Sequence, residues 1–228
     1  MLNKKHLIFD AGPLINFSMN GILPLLEKLE KEFKGDFVIT KEVKKEVIDY
    51  PLTIKRFELG ALKLKVLFDK GVIKHADISD KEVNELREIR ERLMQTANNS
   101  FRTSKKNLHL IDKGESAALA LSIILKKKTN KDVPLVVDER TTRMLCENPE
   151  NLRKLLEKKL HTQVKANKKN YKMFQGFKII RSVELAYIAY KRGLVEMKDP
   201  RALEALLYGL KYKGCSVSEE EVGIVKGM

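Results

Sequence analysis

Four carboxylates stand where an α/β chain places chemistry. The runs 6–10 (HLIFD) and 134–138 (PLVVD) are short and apolar and each ends in an acid, Asp10 and Asp138. In open α/β sheets functional groups gather at the carboxyl ends of strands, and burying an unpaired carboxylate there is costly. Glu46 and Glu115 stand near the starts of short or buried helices, where an acid also complements the helix dipole for roughly 0.3–1 kcal/mol. Spacing does not bring four such distant residues together. If they converge, their repulsion raises their pKa values and destabilises the fold unless a divalent cation neutralises them. All-oxygen ligation suits Mg²⁺ or Mn²⁺ better than Zn²⁺. Beside basic surface, that is the chemistry of phosphodiester hydrolysis.

The basic surface is visible in the sequence. The 228 residues carry 45 Lys and Arg against 31 Asp and Glu, a formal charge of +14. Half of that excess lies in 151–173, where Arg153, Lys154, Lys158, Lys159, Lys165, Lys168, Lys169 and Lys172 face one acid, Glu157. A block of one sign is less readily explained as a solvated helix face than a mixed one. It reads as a phosphate-contacting element, with nucleic acid favoured over membrane as the partner. The competing explanation of the charge is a Lys/Glu-rich surface of a heat-adapted protein.

The elements that must position these residues alternate. Strands are expected at 6–10, 37–40, 72–78 (an edge), 134–137 and 177–180, and helices at 22–33, 41–48, 52–69, 182–192 and from 199 to Gly214. Further helices start at the capping boxes Ser79–Glu82 and Ser218–Glu221 and at Asp112–Glu115, the last running to Leu125, and a short one carries Arg140 and Arg143. Asp199-Pro200 reads as an N-cap with proline at the first helical position. The first half of the basic block has helical spacing, whereas 165–171 and 102–106 read as loops, the latter mobile. This alternation predicts a three-layer α/β/α fold around a mostly parallel sheet, as one domain over 1–228. The basic insertion occupies about 149–175 and a helical tail about 199–228.

Several classes are excluded. The longest apolar runs fall well short of the roughly 18–20 residues of a membrane span. The apolar stretch after Lys4 and Lys5 is cut by Asp10 and Pro13, so no signal peptide is expected. Cys146 and Cys215 are too few for a disulfide framework, and two inert thiols suit a reducing cytoplasm. There is no Gly-x-Gly-x-x-Gly, no Walker A sequence, and no metal or triad spacing among the four histidines. Gly114-Glu115-Ser116-Ala117-Ala118 has Ala118 where a nucleophile elbow needs its second glycine.

Taken in order, the motifs resemble those of PIN-domain nucleases. Leu7-Ile8-Phe9-Asp10-Ala11-Gly12-Pro13-Leu14-Ile15 resembles their opening strand and turn. Phe37-Val38-Ile39-Thr40 with Val43 and Glu46 is similar to their second strand and acid-bearing helix. Asp112-Lys113-Gly114-Glu115-Ser116-Ala117-Ala118 resembles their Gly-Glu-x-x-Ala helix start, and Val136-Val137-Asp138-Glu139-Arg140 with Arg143 the strand end bearing their later acids. Residues 177–182 and 189–195 resemble the last strand and helix of a PIN-like subgroup with a C-terminal helical tail.

The resemblance implies an acidic pocket of Asp10, Glu46, Glu115 and Asp138, with Glu139 as a fifth member, dependence on Mg²⁺ or Mn²⁺, and RNA as substrate. It places Arg140 and Arg143 near phosphate, a salt bridge being the alternative for each. An antitoxin or ribonucleoprotein partner and a homodimer also belong to its implications. The family often has Ser, Thr or Asn where Gly12 stands, and the compact toxins lack an insertion like 151–173. Three functions are therefore carried forward: a metal-dependent endoribonuclease, an RNA-binding protein that turns nothing over, and a toxin held by an antitoxin.

Overall fold

The computed structural model describes residues 4–227. β1 (Lys5–Phe9) leads into α1 (Ala11–Met19), α2 (Pro24–Phe33) and β2 (Gly35–Ile39). α3 (Lys41–Lys44) continues as a π-turn, Lys45–Asp49, and a 3-10 turn, Pro51–Thr53, before α4 (Lys55–Asp69) and β3 (Ile73–His75). α5 (Asp80–Asn98), β4 (Phe101–Arg102), α6 (Lys113–Thr129), β5 (Leu135–Val136), α7 (Arg140–Glu147), α8 (Pro149–Leu160) and β6 (Lys165–Ala166) follow. A 3-10 turn, Lys168–Phe174, precedes β7 (Ile179–Ile180), α9 (Ser182–Lys191), α10 (Ala202–Lys213) and α11 (Glu219–Gly227).

The central sheet has the order β3-β2-β1-β5-β7, every pair parallel. Its strands are apolar at successive positions because both faces are covered. Leu7, Phe9, Phe37, Ile39 and Val136 enter one core with α1, α2, α4, α9, α10 and α11. Ile8, Val38, Leu135 and Val137 enter the other with α5, α6 and the segment 144–179. Two residues per strand period thus divide between two helical layers, giving the three-layer α/β/α fold that the alternation predicts. Among the described residues no helix is long and apolar enough to cross a membrane.

Local signals act as expected at several ends. The Thr40 hydroxyl accepts from Val43 N at 3.2 Å, and the Ser79–Glu82 and Ser218–Glu221 boxes form in both directions. Gly193, at φ 68°, ends α9 in a conformation that side chains resist.

Four readings need correction. α1 begins directly after Asp10, at Ala11, where no element was expected. Asp199-Pro200 precedes α10 instead of opening it: Asp199 Oδ1 accepts from Arg201 N at 2.8 Å in a turn, and the helix starts at Ala202. Residues 165–171 are not a loop, because β6 pairs with β4 and the 3-10 turn runs on to a fully buried Phe174. Nor is 102–106 all loop, because Arg102 pairs with Lys165 and also bridges Asn107 in a small hairpin closed by Thr103 with Lys106. Asn170 Nδ2 fastens this segment to Thr96 O at 3.1 Å. Tyr171 packs on Phe101 with ring centroids 5.9 Å apart. Its anchors are too far apart in sequence to leave a period, so only cations are conspicuous there.

Candidate functional site

From β1 the chain builds outward through β2 and β3, and β5 and β7 then add on the opposite side. The carboxyl ends of β1 and β5 are therefore neighbours at the switch in strand order, where open sheets form a crevice. Ile8 pairs with Leu135 and Phe9 with Val136, so Asp10 and Asp138 leave the two strands one register step apart, near enough for the charge of Asp138 to act on Asp10. Asp10 N donates to Val136 O at 3.0 Å.

The two glutamates arrive from the flanking helices. Glu46 lies in the π-turn that continues α3, an irregularity frequent at functional sites. Glu115 occupies the first turn of α6, where its Oε2 accepts from Asp112 N at 2.6 Å. Gly114 records how closely they meet. A Cβ placed on it would stand 3.0 Å from Glu46 Oε2 and 4.0 Å from Asp10 Oδ1, so a larger residue would press on Glu46. Thr142, wholly buried, joins the remaining acids: its N donates to Glu139 Oε2 at 2.8 Å and its hydroxyl lies 3.5 Å from Glu115 Oε1. The structure thus brings Asp10, Glu46, Glu115, Asp138 and Glu139 to the carboxyl end of the sheet.

Electrostatics follow from that crowding. Burial, reinforced by the charges of Glu115, Glu46 and Asp138, pushes the Asp10 carboxyl up to about 8 despite a backbone hydrogen bond from Ala11. Burial first, then the charges of Glu139, Asp112 and Glu46, raises Glu115 against its bond from Asp112. Glu46 is raised by burial and by Asp112, although it is the more exposed glutamate of the two. Asp10 Oδ1 is buried with no hydrogen-bond partner, whereas both Asp138 oxygens are held, Oδ2 by Asn16 Nδ2 and Oδ1 by Ser182 N, each at 2.8 Å.

An all-carboxylate donor set with one orphaned buried oxygen suits a hard divalent ion, with Asp10 and Glu46 offering the open oxygens. Among the described residues no group of three or more His, Cys, Asp or Glu is already arranged around one point as a bound ion requires. A metal would have to draw the carboxylates inward.

The cations divide into two sets. Arg143 is committed to Glu221 and Glu147, at 3.3 and 3.6 Å, Arg140 Nε donates to Ser216 Oγ at 2.8 Å, and Arg153 is clamped between Glu150 and Glu157, both at 2.6 Å. By contrast Lys154, Lys158, Lys159, Lys165, Lys168, Lys169 and Lys172 are exposed and have no ion-pair partner among the described residues.

Sequence reasoning missed Asn16, Thr142 and Ser182, whose polarity is unremarkable until burial makes it expensive. It also missed Asp112 as a charge acting on Glu46 and Glu115, having read it as part of a helix start. Both cysteines are buried and unpaired, and burial pushes each thiol up to about 12, so neither offers a nucleophile. No protein-family model, curated protein or solved structure matches the chain.

Proposed function

We propose that the protein is a metal-dependent endoribonuclease hydrolysing RNA phosphodiester bonds at the acids gathered beyond β1 and β5, as the PIN-domain resemblance implies. The observation that carries this reading is Asp10: a buried carboxylate with a partnerless oxygen, surrounded by three other acids, in a chain of net charge +14. Such an arrangement opposes folding unless positive charge enters it. When bound, Mg²⁺ or Mn²⁺ supplies acidification of the attacking water and relief of charge on the leaving oxygen.

The chain's own residues have distinct tasks. Asp10 and Glu46 hold the ion, Asn16 and Ser182 keep Asp138 aimed, and Thr142 fixes Glu139 against Glu115. The exposed lysines of 154–172 draw the RNA backbone toward an acidic end of the sheet that would otherwise repel it. Buried, unpaired thiols and an RNA substrate fit a cytoplasmic protein.

A second reading, an RNA-binding protein without turnover, draws on the finding that no three acids already surround one point. Against it, a pure binder gains nothing from carboxylates facing phosphate. Both are tested by Mn²⁺-dependent cleavage of a mixed-sequence RNA, with binding measured separately in chelator. Wild-type cleavage that Asp10→Asn abolishes while binding persists supports the enzyme. Binding without cleavage in any divalent ion selects the second reading, and cleavage unchanged in Asp10→Asn removes the site.

A further inference from the structure

Between α7, α8 and the Ser216 turn lies a cleft of about 650 Å³, within the roughly 300–1,000 Å³ of small-ligand sites. Its floor includes Leu155 and Leu156, both only half-buried. Its walls carry Lys158 and Lys159, exposed and without ion-pair partners among the described residues. Glu139 and Arg140 line its inner end, and Glu139 shares Thr142 with Glu115 of the acidic cluster. The cleft therefore shares Glu139 with the candidate site.

His161 adds a separate observation. It follows α8 in the left-handed conformation, φ 49°, and its exposed residue lines the cleft. Glycine adopts that conformation more readily than a side-chain-bearing residue. Here an imidazole stands beside an apolar floor and two cations. A ligand matching all three has a flat, largely apolar face and a negative group attached to it, which is the chemistry of a nucleotide.

We propose that this cleft binds one unpaired nucleotide of single-stranded RNA next to the scissile phosphate. The base lies against Leu155, Leu156 and His161, and its phosphates meet Lys158 and Lys159. An unpaired strand is required, because in an A-form duplex the base faces are stacked and the major groove is too deep and narrow to admit side chains. The inference rests on the RNA-cleaving reading for what occupies the neighbouring acids.

The test measures, in chelator, binding of the full chain to a fluorescent single-stranded RNA about ten nucleotides long and to a blunt duplex of the same sequence. The variants are Lys158→Ala/Lys159→Ala and Leu156→Gln, with melting temperatures confirming that both remain folded. The lysine pair should lower single-strand affinity about tenfold and flatten its salt dependence by about 1.4, two phosphate contacts at roughly 0.7 each. Leu156→Gln should weaken single-strand binding without altering that slope, and duplex binding should change in neither variant. Equal losses on both RNAs, or an unmoved slope in the lysine variant, overturn the cleft. Asp10→Asn, assayed for cleavage in parallel, separates the two ideas. If it cleaves like wild type while the cleft variants lose single-strand binding, the catalytic reading falls and the cleft stands. If it is inactive while the cleft variants bind normally, the reverse holds.

Discussion

Asn16 and Asp138 are joined across 122 residues by a buried hydrogen bond of 2.8 Å from Nδ2 to Oδ2. The bond links α1, which follows β1, to the chain leaving β5, so the two strands that define the switch in sheet order are also tied through their side chains. Ser182 N completes the hold on Asp138 from the start of α9. The Asn16 Oδ1 atom, in contrast, is buried without a partner, so the sequence tolerates an unsatisfied acceptor in return for the donor.

Asn16→Ala should accordingly destabilise the fold by about 1–3 kcal/mol, the cost of leaving Asp138 Oδ2 unsatisfied. Urea denaturation measures it. In the proposed reaction the same variant lowers kcat with little change in KM, because Asn16 aims Asp138 and touches no RNA. A variant as stable as wild type would show that Asp138 finds another donor.

Metal-free protein should lose stability with rising pH. Asp10 holds its proton to about 8 when folded, against 3.8 as its reference value. The folded state therefore binds more protons than the unfolded one between those limits, and stability falls as pH climbs through the interval. The raised values of Glu115 and Glu46 act in the same direction. Urea midpoints taken in chelator from pH 4 to about 8 should decline, less steeply in Asp10→Asn. Mn²⁺ should reduce the decline in wild type. A decline of equal steepness in Asp10→Asn removes Asp10 as its source.

Gly114→Ala separates stability from ligation. Alanine gains up to about 1 kcal/mol of helix propensity over glycine in α6, but its Cβ would stand 3.0 Å from Glu46 Oε2 and displace that carboxylate. The melting temperature should hold or rise while the further rise produced by Mn²⁺ shrinks. An undiminished Mn²⁺ response would mean that Glu46 is no ligand.

The tail is held by Arg181, which bonds Glu184 and, at 2.7 Å, Glu221. Arg143 meets the same Glu221, and Ser216 N donates to Asp138 O at 3.1 Å. Arg181→Ala leaves Glu184 without its cation and Glu221 with Arg143 alone, beside Glu147. The loss should fall between the roughly 1 kcal/mol of an exposed pair and the roughly 3–5 of a buried one. Arg181→Lys should recover only part of it, since an ammonium cannot reproduce the forked contact. Thermal unfolding of both variants checks the order.

Local features were legible along the chain. Runs such as 6–10 and 134–137 are too short and too uniformly apolar for surface helices, and hydroxyls and acids at three-residue spacing announce helix starts at Ser79, Asp112 and Ser218. Each effect acts within one turn or one strand, so neighbouring residues suffice to reveal it. From these elements the layered α/β class followed, as did the two strand-end aspartates.

Tertiary structure alone decided which distant groups share a dielectric environment. Asn16, Ser182 and Thr142 matter because they are buried: Asn16 and Ser182 N replace the water that Asp138 has lost, Thr142 links Glu139 to Glu115, and no sequence interval encodes either. Likewise Arg143 and Arg153 are indistinguishable in the chain from Lys158 and Lys159. Only packing spends the arginines on Glu221, Glu150 and Glu157 and leaves the lysines facing solvent. Pair energies depend on distance and solvent access, and both are set by how the sheet orders its strands.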